Sequence, residues 1–265
     1  TYTENLGKIE NRGYELAVSV TPWRDDERQA YVTLSATALH NKNKIKKIYD
    51  IFKNSNDEQN SSLDGSYDYN DGQPGDTEVL EKYLNKFTKP ATLYYEGCSM
   101  TAIWGVRSLG IDPATGQEMF LTKDGRSTYT WSSADQVVIG DTSPKMNGTL
   151  NLNAGYKGFT FSASCSYKFG GDLYNSELVA RMENINGQSN LDRRLFNAWQ
   201  KVGDVAPYKV TVISSGSTNY TKPTSRFVQK NNELYISSVN VGYDFAGAAW
   251  LKKIALERLK VSFYM

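Results

Sequence analysis

The sequence predicts an all-β chain whose antiparallel strands form part of a transmembrane β-barrel, with long extracellular loops and short periplasmic turns. Three observations carry that expectation. Several segments alternate apolar and polar residues with period two, short and long connections exchange regularly between them, and aromatic residues gather at both ends of apolar strand faces.

The first hairpin begins at residues 12–22, where Tyr14, Leu16, Val18 and Val20 share one face. The polar stretch TPWRDDERQ turns the chain, and Ala30, Val32, Leu34, Ala36 and Ala38 alternate on the way back. Successive side chains of a strand point to opposite sides of its sheet, so each segment has one dry and one wet face. A long excursion, about 41–145, follows; it holds the acidic run NSNDEQNSSLDGSYDYNDGQPGD and the turn signals Asp112-Pro113-Ala114-Thr115-Gly116 and Lys123-Asp124-Gly125. The second hairpin places Leu150, Leu152, Ala154 and Tyr156 on one face, turns at Lys157-Gly158, and continues with Phe159, Phe161, Ala163, Cys165, Tyr167 and Phe169. Its opposite face carries Thr160, Ser162, Ser164, Ser166 and Lys168. A second excursion, about 170–231, contains NLDRRLFNAWQKVGD, with room for a short helix. A strand then puts Tyr235, Ser237, Val239, Val241, Tyr243 and Phe245 on one face. The short link AGAAWLKKIA leads to a last strand, 257–265, with Leu259, Val261, Phe263 and Met265 alternating.

Loops beyond about 12–15 residues are uncommon in compact soluble domains. Outer-membrane barrels, by contrast, put tight turns at one rim and long loops at the other, and place rings at the two headgroup levels with smaller side chains between. A soluble, secreted β-sandwich that binds carbohydrate shares the alternation and is the alternative reading; in it the apolar faces would meet one another.

Composition narrows the function. The 265 residues carry a net charge of +1 with dispersed charges, so the footprint of a nucleic-acid binder is missing. No run of about 18 apolar residues exists, which excludes a transmembrane helix and leaves barrel strands open. Cys98 and Cys165 stand far apart and His40 is the single histidine, so no metal site, cofactor or histidine-based triad is expected. Asp64, Asp68, Asn70 and Asp71 offer oxygen ligands but depart from the EF-hand spacing, and the run reads as a solvated acidic loop. No carboxylate pair stands out for glycoside hydrolysis. The expected work is capture and passage, without enzymatic chemistry.

Particular words then carry a resemblance. LGKIENRGYEL, ALHNKNKI, EGCSMTAIWGVRSLGIDPATGQEMFLTKDG, YTWSSADQVVIGDTSPKMNG, LDRRLFNAWQKVGDVAPYK, TKPTSRFVQKNNEL and WLKKIALERLKVSFYM resemble, in order, the C-terminal half of the barrel in the SusC/RagA family of TonB-dependent outer-membrane transporters. The resemblance implies a 22-stranded barrel of which residues 1–265 hold about six strands, with the plug domain and last strand outside the chain. It also implies an outer-membrane location in a Gram-negative, Bacteroidetes-like cell, and uptake of oligosaccharides or oligopeptides. The implied partners are a SusD-like surface lipoprotein, outer-membrane lipid, and the TonB complex acting through the plug. In that frame 12–22 runs toward the periplasm, and the turns at 23–29, 156–158 and 246–255 are periplasmic.

A glycan site needs flat rings and planar polar groups in a concavity. The substrate-binding candidates are Tyr94, Trp104 and Arg107 in the first excursion and Trp199 and Tyr208 in the second, with Tyr67, Tyr69, Tyr95, Arg193 and Arg194 as further candidates. Packing of the loops, or contact with the lipoprotein, is the competing role for each. The Arg193-Arg194 pair beside Asp192 reads as a loop ion pair.

Overall fold

The computed structural model describes residues 7–64, 88–185, 191–210, 220–246 and 248–265. In chain order the strands and α-helices are β1 (Gly7–Asp25), β2 (Ala30–Ile48), α1 (Asp50–Asp64), β3 (Ala102–Gly105), β4 (Arg107–Ile111), β5 (Glu118–Leu121), β6 (Ser127–Thr128), β7 (Val137–Asp141), β8 (Met146–Tyr156), β9 (Phe159–Tyr174), α2 (Ser176–Met182), β10 (Val228–Asp244), α3 (Ala249–Lys253) and β11 (Lys260–Tyr264). They fall into two compact units, one comprising Asn11–Lys42, Pro144–Gly171 and Asn231–Met265, the other Thr1–Glu10, Asn43–Ser143 and Asp172–Lys230.

The first of these is the sheet unit. Its six strands lie in the order β1-β2-β8-β9-β10-β11, and the β2–β8, β8–β9 and β10–β11 pairs are antiparallel. Neighbours in the sheet are joined alternately by short and long connections, as the sequence predicts. The β8–β9 turn is two residues, with Lys157 at φ 46° and Gly158 at φ 88°, the doubly left-handed turn that suits the twist of a hairpin. Side chains on the polar face satisfy one another across strands. Ser19 and Ser35 lie 2.9 Å apart, Thr21 and Thr33 3.1 Å, Thr37 and Thr149 2.9 Å, and Ser164 donates to Asn151 at 2.7 Å. The apolar face is bare. Leu16 is 59% exposed, Phe159 58% and Phe263 67%. The soluble-sandwich alternative needs a second sheet on those side chains, and among the described residues they remain uncovered.

Two expectations are corrected here. Tyr235 and Ser237 do not share the face of Val241 and Tyr243: Ser237 pairs with Ser166 of the polar face at 2.9 Å, whereas Tyr243 packs on Phe159 of the apolar face, ring centres 4.4 Å apart. Gly242 stands against Thr160, again on the polar face, so alternation along β10 slips by one residue between Ser237 and Gly242. The last strand begins at Lys260 rather than at residue 257, and the link before it winds into α3.

The second unit is built from the two excursions, whose described residues form secondary structure of their own. The first excursion supplies α1 and strands β3 to β7; β3 pairs with β7, and β4 with β5. The second supplies α2 and a segment that clamps the first: Val106 donates to Pro223 O, and Ser225 N donates to Val106 O, at 3.1 Å each. Ile103, Tyr174, Val179 and Phe227 form its core, with Ile139, Leu178, Tyr208 and Val228 packed against them. Helix α1 was not expected from so Asn- and Ser-rich a stretch, because such side chains compete for the backbone. Tertiary bonds hold it: buried Asn56 donates to Tyr94 O at 2.6 Å and accepts from Tyr94 N at 2.9 Å, and Gln59 accepts from Thr92 N.

Candidate ligand-binding site

A cavity of about 380 Å³ opens in the excursion unit, lined by Asn60, Leu93, Tyr95, Trp104, Lys123, Ser133, Gln136, Val137 and Val138. The β3–β7 ribbon positions its two deepest polar residues. Trp104 pairs with Val138 across the ribbon, and Gln136 stands just before β7, at the end of the 3-10 turn Ser133–Asp135. Tyr95 lies on Trp104 with ring centres 4.9 Å apart and planes tilted by 54°. Gln136 Nε2 donates to Asn60 Oδ1 at 3.0 Å, and Asn60 Nδ2 reaches the Tyr95 hydroxyl at 3.4 Å. Trp104 is 7% exposed and Gln136 3%, yet Trp104 Nε1 and Gln136 Oε1 have no hydrogen-bond partner among the described residues. Buried polar atoms are rarely left so.

Of the sequence candidates, Trp104 and Tyr95 line this cavity, and the others lie elsewhere. Arg107 is exposed at the start of β4, with no side-chain partner among the described residues. Tyr94 packs on Phe52 of α1 at 4.8 Å and gives its backbone to Asn56. Trp199 lies over Gly116, where a Cβ would come 2.5 Å from the indole, and its Nε1 donates to Pro113 O at 2.9 Å, so it braces the Asp112–Gly116 turn. Tyr208 is half-buried and packs against the unit's core. Arg194 forms the expected ion pair with Asp192 at 2.7 Å, and its hydrogen bonds hold that carboxyl at about 2. Arg193 is exposed; Tyr67 and Tyr69 lie outside the described residues, as do Asp68, Asn70 and Asp71. Sequence reasoning missed Gln136, Asn60 and Leu93, whose proximity to Trp104 comes only from β3–β7 pairing and α1.

A second cluster joins the two excursions without being open. Arg226 forms a bidentate pair with Glu118 at 2.8 and 2.7 Å and also binds Glu183 at 2.8 Å. Glu183 accepts in addition from Thr221 Oγ1 at 2.5 Å and from the Lys209 backbone at 3.0 Å. Burial works to raise the Glu183 carboxyl, but Arg226, Lys209 and Thr221 outweigh it and hold it below the usual range. Burial lowers the Lys209 ammonium. Two carboxylates, a guanidinium and an ammonium balance in charge, which suits a structural clasp.

An antiparallel meander with a bare apolar face and a hydroxyl-paired polar face is a barrel-like sheet of the kind found in outer-membrane proteins. Comparison with known proteins gives the particular likeness. No protein-family model matches the chain. It is 24% identical over 267 residues to TonB-dependent receptor P3 of Formosa agariphila, covering 97% of this chain and 24% of the relative. To TonB-dependent receptor P39 of the same organism it is 23% identical over 264 residues, covering 91% and 24%. The chain therefore spans about a quarter of the length of the curated relatives it matches. Among solved structures, the RagAB peptide transporter superposes with a TM-score of 0.66 at 16% identity, covering 98% of this chain and 26% of that one. The RagAB peptide importer in its 'closed-closed' state gives 0.63 at 18% identity, covering 98% and 26%. The chain is SusC/RagA-like, resembling TonB-dependent transporters along nearly its whole length.

Proposed function

We propose that residues 1–265 supply part of the wall of an outer-membrane importer, the C-terminal barrel portion in the SusC/RagA resemblance. The complete barrel has 22 strands, residues about 41–145 and 170–231 face the outside, and a TonB complex acts through a plug domain. The importer takes up oligosaccharides or oligopeptides, works with a SusD-like surface lipoprotein, and performs no bond chemistry itself. The observation that carries this reading is the sheet's inverted dressing, with Leu16, Phe159 and Phe263 bare while hydroxyls pair on the other face. In water, that apolar band would be a large unstabilised patch; in hydrocarbon it is at its lowest free energy, and every strand needs a neighbour on both sides, which closure provides. The cavity at Tyr95 and Trp104 lies within the excursions, where capture from outside would take place.

The test is fractionation of the full-length gene product from a Gram-negative host. Recovery in the outer membrane, with resistance to urea and carbonate extraction and a requirement for detergent, is the expected result. A protein that stays monodisperse in plain buffer would overturn the reading and return the case to a carbohydrate-binding secreted protein.

A further inference from the structure

The cavity between α1 and the β3–β7 ribbon carries more chemistry than a hydrophobic niche. Its buried polar edge offers one donor, Trp104 Nε1–H, and one acceptor, Gln136 Oε1, both without partners among the described residues. The acceptor role of Gln136 is set by its own amide: Nε2 is committed to Asn60 Oδ1, so Oε1 is what remains. Beside this pair stand apolar walls, Leu93 and Val137, and one exposed ring, Tyr95. Among the described residues the only charged lining residue is Lys123, which is itself exposed.

We propose that this cavity is a subsite for a 2-acetamido sugar unit, a reading that deepens the importer function and rests on it. The acetamido group supplies what the site lacks: a carbonyl oxygen to accept from Trp104 Nε1–H and an amide N–H to donate to Gln136 Oε1. Its methyl group meets Leu93 and Val137, and the pyranose face lies on Tyr95, the usual disposition of flat apolar rings and a few placed polar groups in a small-molecule site. A sugar bearing only hydroxyls offers no methyl for the apolar wall. An aliphatic peptide such as trialanine presents the amide without a flat ring for Tyr95. The volume, about 380 Å³, suits one such unit with part of its neighbour. Both orphan atoms are closed to water, so binding at this subsite requires side-chain movement that opens them to the cavity. Among the described residues the Tyr95 hydroxyl takes part in one hydrogen bond, the long 3.4 Å one from Asn60.

The experiment uses the full-length transporter extracted from outer membranes in detergent, titrated calorimetrically with triacetylchitotriose, cellotriose and trialanine. The expected result is binding of triacetylchitotriose about tenfold or more tighter than cellotriose, since the hydroxyl analogue leaves a buried donor or acceptor poorly paired. Gln136→Leu, which removes Oε1 together with the Nε2 bond to Asn60, and Trp104→Phe, which removes Nε1 with part of the indole, should each weaken that binding by about tenfold. Equal affinity for the two sugars, tighter binding of trialanine, unchanged affinity in both variants, or no binding of triacetylchitotriose to the membrane-extracted protein would each overturn the subsite. Recovery of the protein in plain buffer instead of the membrane would overturn the importer reading and the subsite with it.

Discussion

Replacing Ala163 by Arg tests the face assignment at one residue. Ala163 sits on β9 opposite Leu152, between the pairs Phe161–Ala154 and Cys165–Leu150, all on the apolar face. From Phe159 to Phe169 the strand climbs at about 3.4 Å per residue, and a tilt of about 45° makes that about 24 Å of depth, close to the height of about 25 Å for the apolar band of outer-membrane barrels. Ala163 is then about 10 Å in from the Phe159 end, near mid-depth. A lipid-facing Arg at the midplane costs about 2–4 kcal/mol, which lowers the folded-to-unfolded ratio about 30- to 700-fold. Its neighbour Ser164 points to the polar face, where it donates to Asn151 at 2.7 Å. Ser164→Arg loses that one hydrogen bond, about 1 kcal/mol, and gains water or polar neighbours for its charge. The assay is urea titration of the full-length protein refolded into vesicles, read from the heat-modifiable electrophoretic band. Ala163→Arg should shift the midpoint well below that of Ser164→Arg. Equal midpoints, or the reverse order, would refute lipid on the Ala163 side.

Other perturbations address the excursion unit and the strand geometry. Arg226→Leu leaves Glu118 and Glu183 buried without their guanidinium, at about 3–5 kcal/mol, and should make the excursions cleavable at protease concentrations the native protein resists. Because the Glu183 carboxyl is held below its ordinary value of 4.5, its contribution is present above that pH and fades as pH falls through the lowered folded value. Protease resistance should therefore decline in acid below about pH 4.5 in the native protein and follow a flatter profile in Arg226→Leu; parallel profiles would count against the clasp. Gly148→Ala would set a Cβ 1.9 Å from Thr37 O, at the point where Tyr167 donates to that same oxygen at 2.8 Å, and should lower the urea midpoint by about 1–3 kcal/mol equivalent. Gly116→Ala meets both a left-handed backbone, φ 70°, and the Trp199 ring, and should loosen the Asp112–Gly116 turn, visible as increased exposure of Trp199 to a fluorescence quencher.

What the sequence made legible is what alternation and turn chemistry encode. Lys157-Gly158 announced the tightest hairpin because only a short list of residues adopts positive φ twice in succession, and the faces of β8 and β9 followed from period two. Strand length was less legible. β2 runs on to Ile48 through lysine-rich sequence, where backbone pairing continues without an apolar face and Lys46 finds Glu10 at 2.7 Å. The slip in β10 was hidden because Ser237 and Val239 read equally well on either face. In the excursions the limit was non-locality. Trp104 was a sound candidate by type, but its partners Gln136 and Asn60 arrive from distant segments, and Trp199 and Tyr208, equally suitable by type, are committed to a turn and a core.

The two units answer to different solvents, and this is why one residue scale misreads both. In the excursion unit Val179 and Phe227 are almost fully buried and the charges that enter the interior arrive as a matched set, Arg226 with Glu118 and Glu183; this is the arrangement water selects, since an unmatched ion there would be several kcal/mol out of balance. In the sheet unit the large apolar side chains are the exposed ones, while small hydroxyls pair with one another across strands. Hydroxyl pairs of that kind contribute little in water, where the solvent competes for each group, but they leave a polar surface already satisfied and free of strong fixed charge. Such a surface suits a wall past which polar solutes move, because it offers weak, replaceable hydrogen bonds and no deep electrostatic trap. The proposed subsite would have to do the opposite and hold its ligand by unmet, shielded valences, and among the described residues Trp104 Nε1 and Gln136 Oε1 are two such unpartnered atoms in residues lining one cavity.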